Sequence, residues 1–304
     1  MNLTIAKITA PNNIEICYEI LGEEFDSTPI VLISGAGLQM LGWPDGFCEM
    51  LVKHKHRVVR FDNRDTGEST NLKHLPSPAP MRFAIMHKLG LGIKPPYTLE
   101  DMADDLVHLL DGIGVQRAHL VGISLGGMIA QIASFSSSNR VASLTCIATL
   151  ARNSRHSMPK IKTVLKIMKF PRPGRQGYID WNIDLVRAVG GPAAEGPDEY
   201  LREIAGRMYD RGINNDGMRR QVCAVYAAPD RRTALTGITV PTLVIHGADD
   251  PLIHPEASKE IAEAVPISRY CIIEGMGHGI LKPVWPKLVE LIDEHVKQSS
   301  SVSK

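Results

Sequence analysis

The most informative pattern in the chain is the stretch Leu120-Val121-Gly122-Ile123-Ser124-Leu125-Gly126-Gly127-Met128-Ile129-Ala130-Gln131. Its centre is Gly-x-Ser-x-Gly, which is typical of a serine on a sharp turn between a strand and a helix. An apolar run of strand type, residues 118–121, precedes the serine, and a helical pattern begins at Met128. The glycines allow backbone to pass close to backbone at a strained turn. Such a turn exposes the Ser124 hydroxyl and directs the first N–H groups of the helix towards any developing negative charge.

Strand and helix patterns alternate on both sides of this turn. Residues 3–8 and 14–20 alternate apolar with polar side chains around a Pro-Asn-Asn turn, which predicts an antiparallel hairpin. Further strand patterns lie at 30–33, 57–61, 144–150, 241–246 and 270–273, and helical patterns lie at 47–53, 99–110 and 284–295. Thr98 with Asp101 predicts a capping box before the second of these helices. The alternation predicts an α/β fold, with a mostly parallel sheet and helices on both faces.

Two segments depart from the alternation. Residues 151–236 contain no apolar strand run, only helical periodicity at 160–169, 179–189, 199–208 and 218–226. We therefore predict a helical cap, 151–236, inserted into a core formed by residues 1–150 and 237–304. Proline-rich residues 75–97 are interpreted as a short insertion over the face where the loops gather. The lysines of the first cap helix favour a solvated face over a membrane-surface helix; they are Lys162, Lys166 and Lys169.

Composition and charge are those of an ordinary globular protein. The 304 residues are 44% hydrophobic and carry a net charge of +1, so nothing indicates a nucleic-acid partner. Five scattered cysteines without a Cys-x-x-Cys pair favour a reducing compartment. The first residues lack a signal-peptide pattern, and no apolar run approaches about 18 residues. We therefore expect a cytoplasmic protein without a transmembrane segment.

A serine nucleophile needs a base within hydrogen-bond reach and a third group that orients the base. One late strand leads into Gly247-Ala248-Asp249-Asp250, and the last leads into Gly275-Met276-Gly277-His278. The carboxyl ends of parallel strands meet at one edge of a sheet. We therefore expect Ser124, His278 and an aspartate of the pair 249–250 to meet there. Their chain order, serine, acid, histidine, is the one this arrangement requires.

Other polar residues near these loops have structural interpretations. His246 ends a buried strand, which favours a core histidine over a second base. A metal held by His246 and the two aspartates is disfavoured, because no second histidine stands at ligand spacing. Arg64 and Asp65 follow a strand end, where an ion pair bracing the turn is favoured over contact with substrate.

The whole chain resembles the α/β-hydrolase fold superfamily with a helical cap, and four loops match in order. Within that superfamily, three segments resemble the aclacinomycin methylesterase group: Leu41-Gly42-Trp43-Pro44-Asp45, Arg60-Phe61-Asp62-Asn63-Arg64-Asp65-Thr66-Gly67-Glu68-Ser69-Thr70 and Gly275-Met276-Gly277-His278. The resemblance implies a carboxylic-ester hydrolase that acts on a small-molecule ester and uses neither cofactor nor metal.

The resemblance also implies site residues. The family acid is the fourth residue of Gly-x-x-Asp, here Asp250, with Asp249 as the alternative. The family oxyanion hole maps onto the backbone N–H groups of Ala36 and Leu125. Ser34 stands where the family usually has histidine, a departure that bears on the shape of the loop more than on its backbone donor.

The sequence leaves alternative interpretations for the substrate contacts and for the type of reaction. Met40, Trp43, Met81 and Met86 are placed to line an acyl pocket, although core packing explains them almost as well. A serine esterase for a moderately apolar ester, such as a methyl ester, is the first hypothesis. A cofactor-free haloperoxidase or C–C bond hydrolase with the same triad is the second, and a ligand-binding receptor with slow turnover the third. A haloalkane dehalogenase is disfavoured, because its nucleophile would be an aspartate in place of Ser124.

Overall fold

A computed structural model describes residues 5–302 except 158, 160–162 and 164–171. It contains the strands β1 (Ile5–Thr9), β2 (Glu15–Leu21), β3 (Ile30–Ile33), β4 (Val58–Phe61), β5 (Ala118–Ile123), β6 (Val141–Ile147), β7 (Thr242–Gly247) and β8 (Ser268–Ile273). They form one sheet in the order β1-β2-β4-β3-β5-β6-β7-β8. The pairs β1–β2 and β2–β4 are antiparallel, and the other neighbours are parallel. The predicted hairpin and the mostly parallel α/β sheet are confirmed.

The described residues form ten α-helices. They are α1 (Asp45–Lys53), α2 (Pro80–Lys88), α3 (Leu99–Gly112), α4 (Leu125–Ser136), α5 (Arg175–Val189), α6 (Glu199–Asp210), α7 (Asn215–Ala227), α8 (Arg232–Leu235), α9 (Pro255–Ala264) and α10 (Trp285–Val302). The predicted capping box starts α3: Thr98 Oγ1 accepts the Asp101 N–H at 3.2 Å, and the Thr98 N–H donates to Asp101 Oδ2 at 2.7 Å. None of the helices in the described ranges is long and apolar enough to cross a lipid bilayer.

The sheet is covered on both faces. Val31 and Ile33 of β3 point into a core shared with α3, α4 and α9, whereas Ile30 and Leu32 point into a core shared with α1 and α10. Alternate side chains of a strand point to opposite faces. Burial on both sides therefore explains why all four residues of β3 are apolar.

Residues 148–241 join β6 to β7 and hold α5 to α8, with no strand among the residues described there. α5 and α6 pack together through Ile179, Ile183 and Ala205. Of the predicted helix at 160–169 only Thr163 is described, and it is helical, whereas Lys162, Lys166 and Lys169 lie outside the described residues. The division into a core and a cap of residues 151–236 stays a prediction.

The 75–97 segment contains one helix, α2, which packs against α7. α2 ends at Lys88, because Gly90 and Gly92 follow with φ values of 69° and 67°, a conformation that cannot continue a right-handed helix. The apolar residues that follow Lys88 are thus not helical.

Candidate active site

Ser124 lies on the turn between β5 and α4, in a strained backbone conformation. Its φ of 54° and ψ of −119° are backbone dihedral angles that residues other than glycine rarely adopt. A Cβ atom on Gly122 would lie 2.2 Å from the Gly126 carbonyl oxygen, and one on Gly126 would lie 2.1 Å from the Ile33 carbonyl oxygen. The Thr149 hydroxyl donates to the Ser124 carbonyl at 2.6 Å. Only glycine fits on either side of the serine, which explains the Gly-x-Ser-x-Gly spacing.

The imidazole of His278 contacts the carboxylate of Asp250. Nδ1 of His278 lies 2.7 Å from Oδ2 of Asp250, whose side chain is fully buried. An ionised carboxylate only accepts hydrogen bonds, so Nδ1 of the neutral ring carries the proton and Nε2 keeps its lone pair. Asp249 is exposed and accepts the Gly275 N–H instead, at 3.0 Å. The structure therefore brings Asp250, and not Asp249, against the imidazole.

A second histidine, His246, also contacts Asp250. Its buried ring places Nε2 3.2 Å from Oδ2 of Asp250 and 3.0 Å from the Ile253 carbonyl oxygen, while Nδ1 lies 2.6 Å from Ser258 Oγ. Both neighbours of Nε2 are acceptors, so this nitrogen carries a proton and donates. Burial raises the pKa of Asp250, but the His278 and His246 contacts outweigh it and hold that pKa well below its ordinary value. Asp250 is thus a carboxylate held in its charged form.

Ser124 and His278 line one cavity of about 330 Å³. Its wall is mostly apolar and comes from the loop after β3 and from helices α5 to α7; it includes Leu38, Leu41, Trp181, Leu185, Tyr200 and Met218. Apart from the imidazole, the described lining contains no ionisable group of Asp, Glu, Lys or Arg, and Asn182 contributes its only amide side chain. No hydrogen bond joins the Ser124 hydroxyl to the His278 ring in the described part of the chain. Contacts of this kind often tighten only when substrate binds.

Two backbone N–H groups next to Ser124 are the predicted oxyanion donors. Ala36 lies in the loop after β3 and lines the cavity, and Leu125 is the first residue of α4. Within the described ranges, neither N–H donates to a protein acceptor. Ser34, which stands where the family usually has histidine, forms two hydrogen bonds that stabilise this loop. Its hydroxyl donates to the Gln39 carbonyl, and its own carbonyl accepts from the Asn63 amide, both at 3.2 Å.

The loop that carries Ala36 is also bound to α7. The Gly37 N–H donates to Oε1 of Gln221 at 2.7 Å. Nε2 of Gln221 donates to the Arg64 carbonyl and to the Thr66 hydroxyl, each at 2.8 Å. Gln221 is fully buried, so it bridges the loops that follow β3 and β4.

Arg64 and Asp65 brace the loop after β4, but not by pairing with each other. Nε of Arg64 lies 2.6 Å from Oδ2 of Asp105 on α3, and Nε of Arg220 on α7 lies 2.7 Å from Oδ2 of Asp65. All four side chains are buried. The structural interpretation of both residues is confirmed, with partners that the sequence did not indicate.

Met40, Trp43, Met81 and Met86, which the sequence placed as lining for an acyl pocket, do not line the cavity of Ser124 and His278. Met40 and Trp43 are fully buried in the protein core, where the Trp43 ring lies 5.5 Å from that of Phe47. Met81 is exposed on α2, and Met86 is half-buried there.

Sequence reasoning missed Gln221, the contact of His246 with Asp250 and the side chains that form the wall. The wall had a partial signal: residues 181, 182, 185, 186 and 189 recur with helical spacing on α5. Such a stripe predicts a buried face but does not distinguish a cavity wall from a packed core. Gln221 had no signal, because a buried glutamine between two loops is defined only by the folded chain.

A parallel sheet with a strained serine after β5 and a carboxylate–imidazole pair after β7 and β8 defines a class of protein. The chain belongs to the alpha/beta hydrolase fold family, whose family model matches residues 28–282. It is 27% identical to rhodomycin D methylesterase DauP of Streptomyces sp. (strain C5), over 97% of this chain and 99% of that protein. It is 28% identical to rhodomycin D methylesterase DnrP of Streptomyces peucetius, over 93% of this chain and 95% of that protein.

A solved structure shows the same fold. The enol-lactonase from Burkholderia xenovorans LB400 matches with a TM-score of 0.70 at 22% identity, over 97% of this chain and 100% of that chain. The resemblance to the α/β-hydrolase superfamily and to its methylesterases is confirmed. The chain is therefore a hydrolase by family.

Proposed function

We propose that this hydrolase is a serine carboxylic-ester hydrolase that works through an acyl-enzyme. The observation that carries the proposal is the shared cavity of Ser124 and His278, in which the imidazole is oriented by the buried carboxylate of Asp250. This is the combination of nucleophile, base and orienting group that acyl transfer needs. The names of the two Streptomyces relatives support a methyl ester as substrate.

The proposed reaction has two steps. In the first, Nε2 of His278 takes the proton of the Ser124 hydroxyl while Oγ attacks the ester carbonyl carbon. The N–H groups of Ala36 and Leu125 bind the resulting oxyanion, and His278 returns the proton to the departing alcohol. In the second, His278 deprotonates a water that attacks the acyl carbon, and Ser124 leaves with the proton restored. Asp250 keeps the imidazole in the required tautomer and stabilises its charged form.

The lining of the cavity supports a substrate whose acyl group is neutral and mostly apolar. Its described wall offers no arginine or lysine to pair with a charged substrate, and a buried unpaired charge is costly. The wall also supports a cap role for residues 151–236, since α5 and α6 contribute Trp181, Leu185 and Tyr200. The loop of His278 contacts the end of α5, where the His278 N–H donates to the Val189 carbonyl at 2.7 Å.

The test combines active-site labelling with an ester panel. A fluorophosphonate should label one residue, Ser124, and p-nitrophenyl and methyl esters of neutral apolar acids should be hydrolysed. Ser124→Ala should lose label and turnover, while Ser136→Ala, at the exposed end of α4, should keep both. Labelling elsewhere, or no labelling of folded protein, contradicts the mechanism. Ester binding without turnover would indicate a receptor, and C–C cleavage or peracid formation without ester hydrolysis would indicate the other enzyme class.

A further inference from the structure

A group of apolar side chains is exposed on α2 and just after it. Met81, Ile85, Leu89 and Leu91 are 58%, 55%, 68% and 59% exposed. They are four of the ten large hydrophobic side chains that are exposed in the described chain, and all four fall within residues 81–91. Concentrated exposure of this kind marks an interaction site more often than scattered single residues do. These four residues are named the α2 patch.

α2 has apolar side chains on two sides, only one of which is buried. Phe83 is 3% exposed on the side that packs against α7. Met81 and Ile85 lie one turn apart. On a helical wheel each of them is about 160° from Phe83. Packing of α2 on α7 therefore leaves the second apolar side in water.

The charged side chains of the segment that carries the α2 patch are all positive. Residues 69–99 contain no aspartate or glutamate, but they contain Lys73, Arg82, Lys88 and Lys94, in a chain whose net charge is only +1. On a helical wheel, Arg82 lies about 60° beyond Ile85, and Lys88 lies about 20° before Met81. The apolar stripe is thus flanked by a positive charge on each side.

These cations are available to a partner. None of the four forms an ion pair within the described ranges, and all are exposed. The acidic residue of α7 that reaches this segment is Asp216, which accepts from the Ser77 hydroxyl at 3.0 Å and pairs with Arg219 at 3.3 Å. The positive charge next to the patch is therefore not neutralised by the fold.

We propose that the α2 patch binds the protein to the surface of an anionic lipid bilayer. A helix whose apolar stripe is flanked by lysine and arginine lies in the interface, with its apolar side chains among the acyl chains and its cations among the headgroups. A second copy of the chain would also cover the apolar side chains. A two-fold interface, however, places the same surface against itself, so Arg82 and Lys88 would face like charges.

Binding in this way places α2 between the bilayer and α7, because α2 packs on α7 through its opposite side. Met218 of α7 lines the cavity and is 40% exposed. α2 therefore lies next to a helix that bounds one side of the cavity. The lipid-binding proposal itself does not depend on the reaction at Ser124.

The test is co-sedimentation of the full chain with vesicles of phosphatidylcholine alone and of phosphatidylcholine with phosphatidylglycerol. We expect binding to the anionic vesicles that is at least about tenfold tighter than to the neutral ones and that weakens with salt. Ile85→Ser/Leu89→Ser and Arg82→Glu/Lys88→Glu should each weaken it about tenfold or more. The matched control is Ile267→Ser/Arg269→Glu, on the edge strand β8 and the turn before it, where both side chains are also exposed.

Each other outcome overturns the proposal. Absence of binding to anionic vesicles does so, as does equal binding to neutral vesicles or equal loss in the control variant. A dimer in size-exclusion chromatography that Ile85→Ser/Leu89→Ser dissociates, without vesicle binding, would assign the patch to a second copy. Thermal unfolding checks that the variants fold, and Leu89→Ser alone, beyond the end of α2, replaces the double variant if that one does not.

Discussion

The backbone N–H of Gly37 donates to the side chain of Gln221 across 2.7 Å, and this bond joins two points 184 residues apart in the chain. Gly37 directly follows Ala36, a predicted oxyanion donor. The amide nitrogen of Gln221 is itself held by Arg64 and Thr66, so its oxygen has a fixed position. The shape of the loop that carries the predicted donor therefore depends on α7.

Gln221→Ala should lower kcat by about ten- to a hundredfold and change KM by less than about threefold. The upper bound follows from the roughly 10²–10³-fold loss on removal of a whole oxyanion donor; here the donor stays and is only less well positioned. Steady-state kinetics on a p-nitrophenyl ester, with active sites titrated, measure this. The control is Gln131→Ala, because Gln131 is equally buried but donates to the Leu150 carbonyl. If both variants lose stability alike and neither loses kcat, Gln221 is merely structural.

Asp250→Asn should lower kcat by about 10⁴-fold with little effect on folding, because the amide favours the wrong imidazole tautomer. Asp249→Asn should change kcat by less than about threefold, since its carboxylate is exposed and binds the Gly275 N–H. Turnover of one ester by both variants separates the two aspartates. A larger loss in Asp249→Asn would reverse the assignment made from the His278 contact.

The sequence predicted the elements whose cause is local. The turn at Ser124 follows from glycines that steric contacts require within a few residues, and the central strands follow from burial on both faces. The position of the triad candidates follows from topology, because β5, β7 and β8 are parallel and end at one edge. The cavity wall was not predictable in this way. Met40 and Leu41 are adjacent and both apolar, yet only Leu41 faces the cavity.

Buried histidines predict a loss of stability in acid. Burial lowers the pKa of both His119 and His295 to about 4. His119 has Arg117, His56 and His295 as charged or ionisable neighbours, and none of these is negative. In the unfolded chain each ring takes up a proton near pH 6.5, whereas the folded protein excludes it until about pH 4. Their contribution to stability is therefore complete above pH 6.5 and is lost as the pH falls towards 4.

The free energy of unfolding should fall by up to about 1.4 kcal/mol for each histidine and each pH unit in that window. Urea unfolding at several pH values between 7.5 and 4.5 measures the slope. His119→Gln removes one titrating ring. The free energy of unfolding of this variant should therefore fall less steeply with decreasing pH than that of the unaltered chain, by up to about 1.4 kcal/mol per pH unit, which corresponds to one proton. Equal slopes for the two proteins would mean that His119 is accessible to protons in the folded state. The comparison between variants cancels the contribution of carboxylates, which also titrate in acid.

Two neighbouring arginines on α7 should differ widely in their effect on stability. Arg220 pairs with Asp65 at 2.7 Å, with both side chains almost completely buried. Arg219 pairs with Asp216 at 3.3 Å, and both are exposed. Arg220→Met leaves the Asp65 carboxylate buried without its counter-ion, which costs about 3–5 kcal/mol. Arg219→Met removes a solvent-screened pair and should cost less than about 1 kcal/mol.

The free energy of unfolding in urea measures both losses. The double variant Asp65→Asn/Arg220→Met should recover part of the first, because no unpaired charge is then buried. Asp65 also accepts the Leu72 N–H at 2.8 Å, a bond that the asparagine oxygen can still accept. Similar losses for Arg219→Met and Arg220→Met would show that the buried pair adds nothing beyond a surface pair. The other contacts of the loop after β4, among them the Arg64–Asp105 pair and Gln221, would then hold it in place.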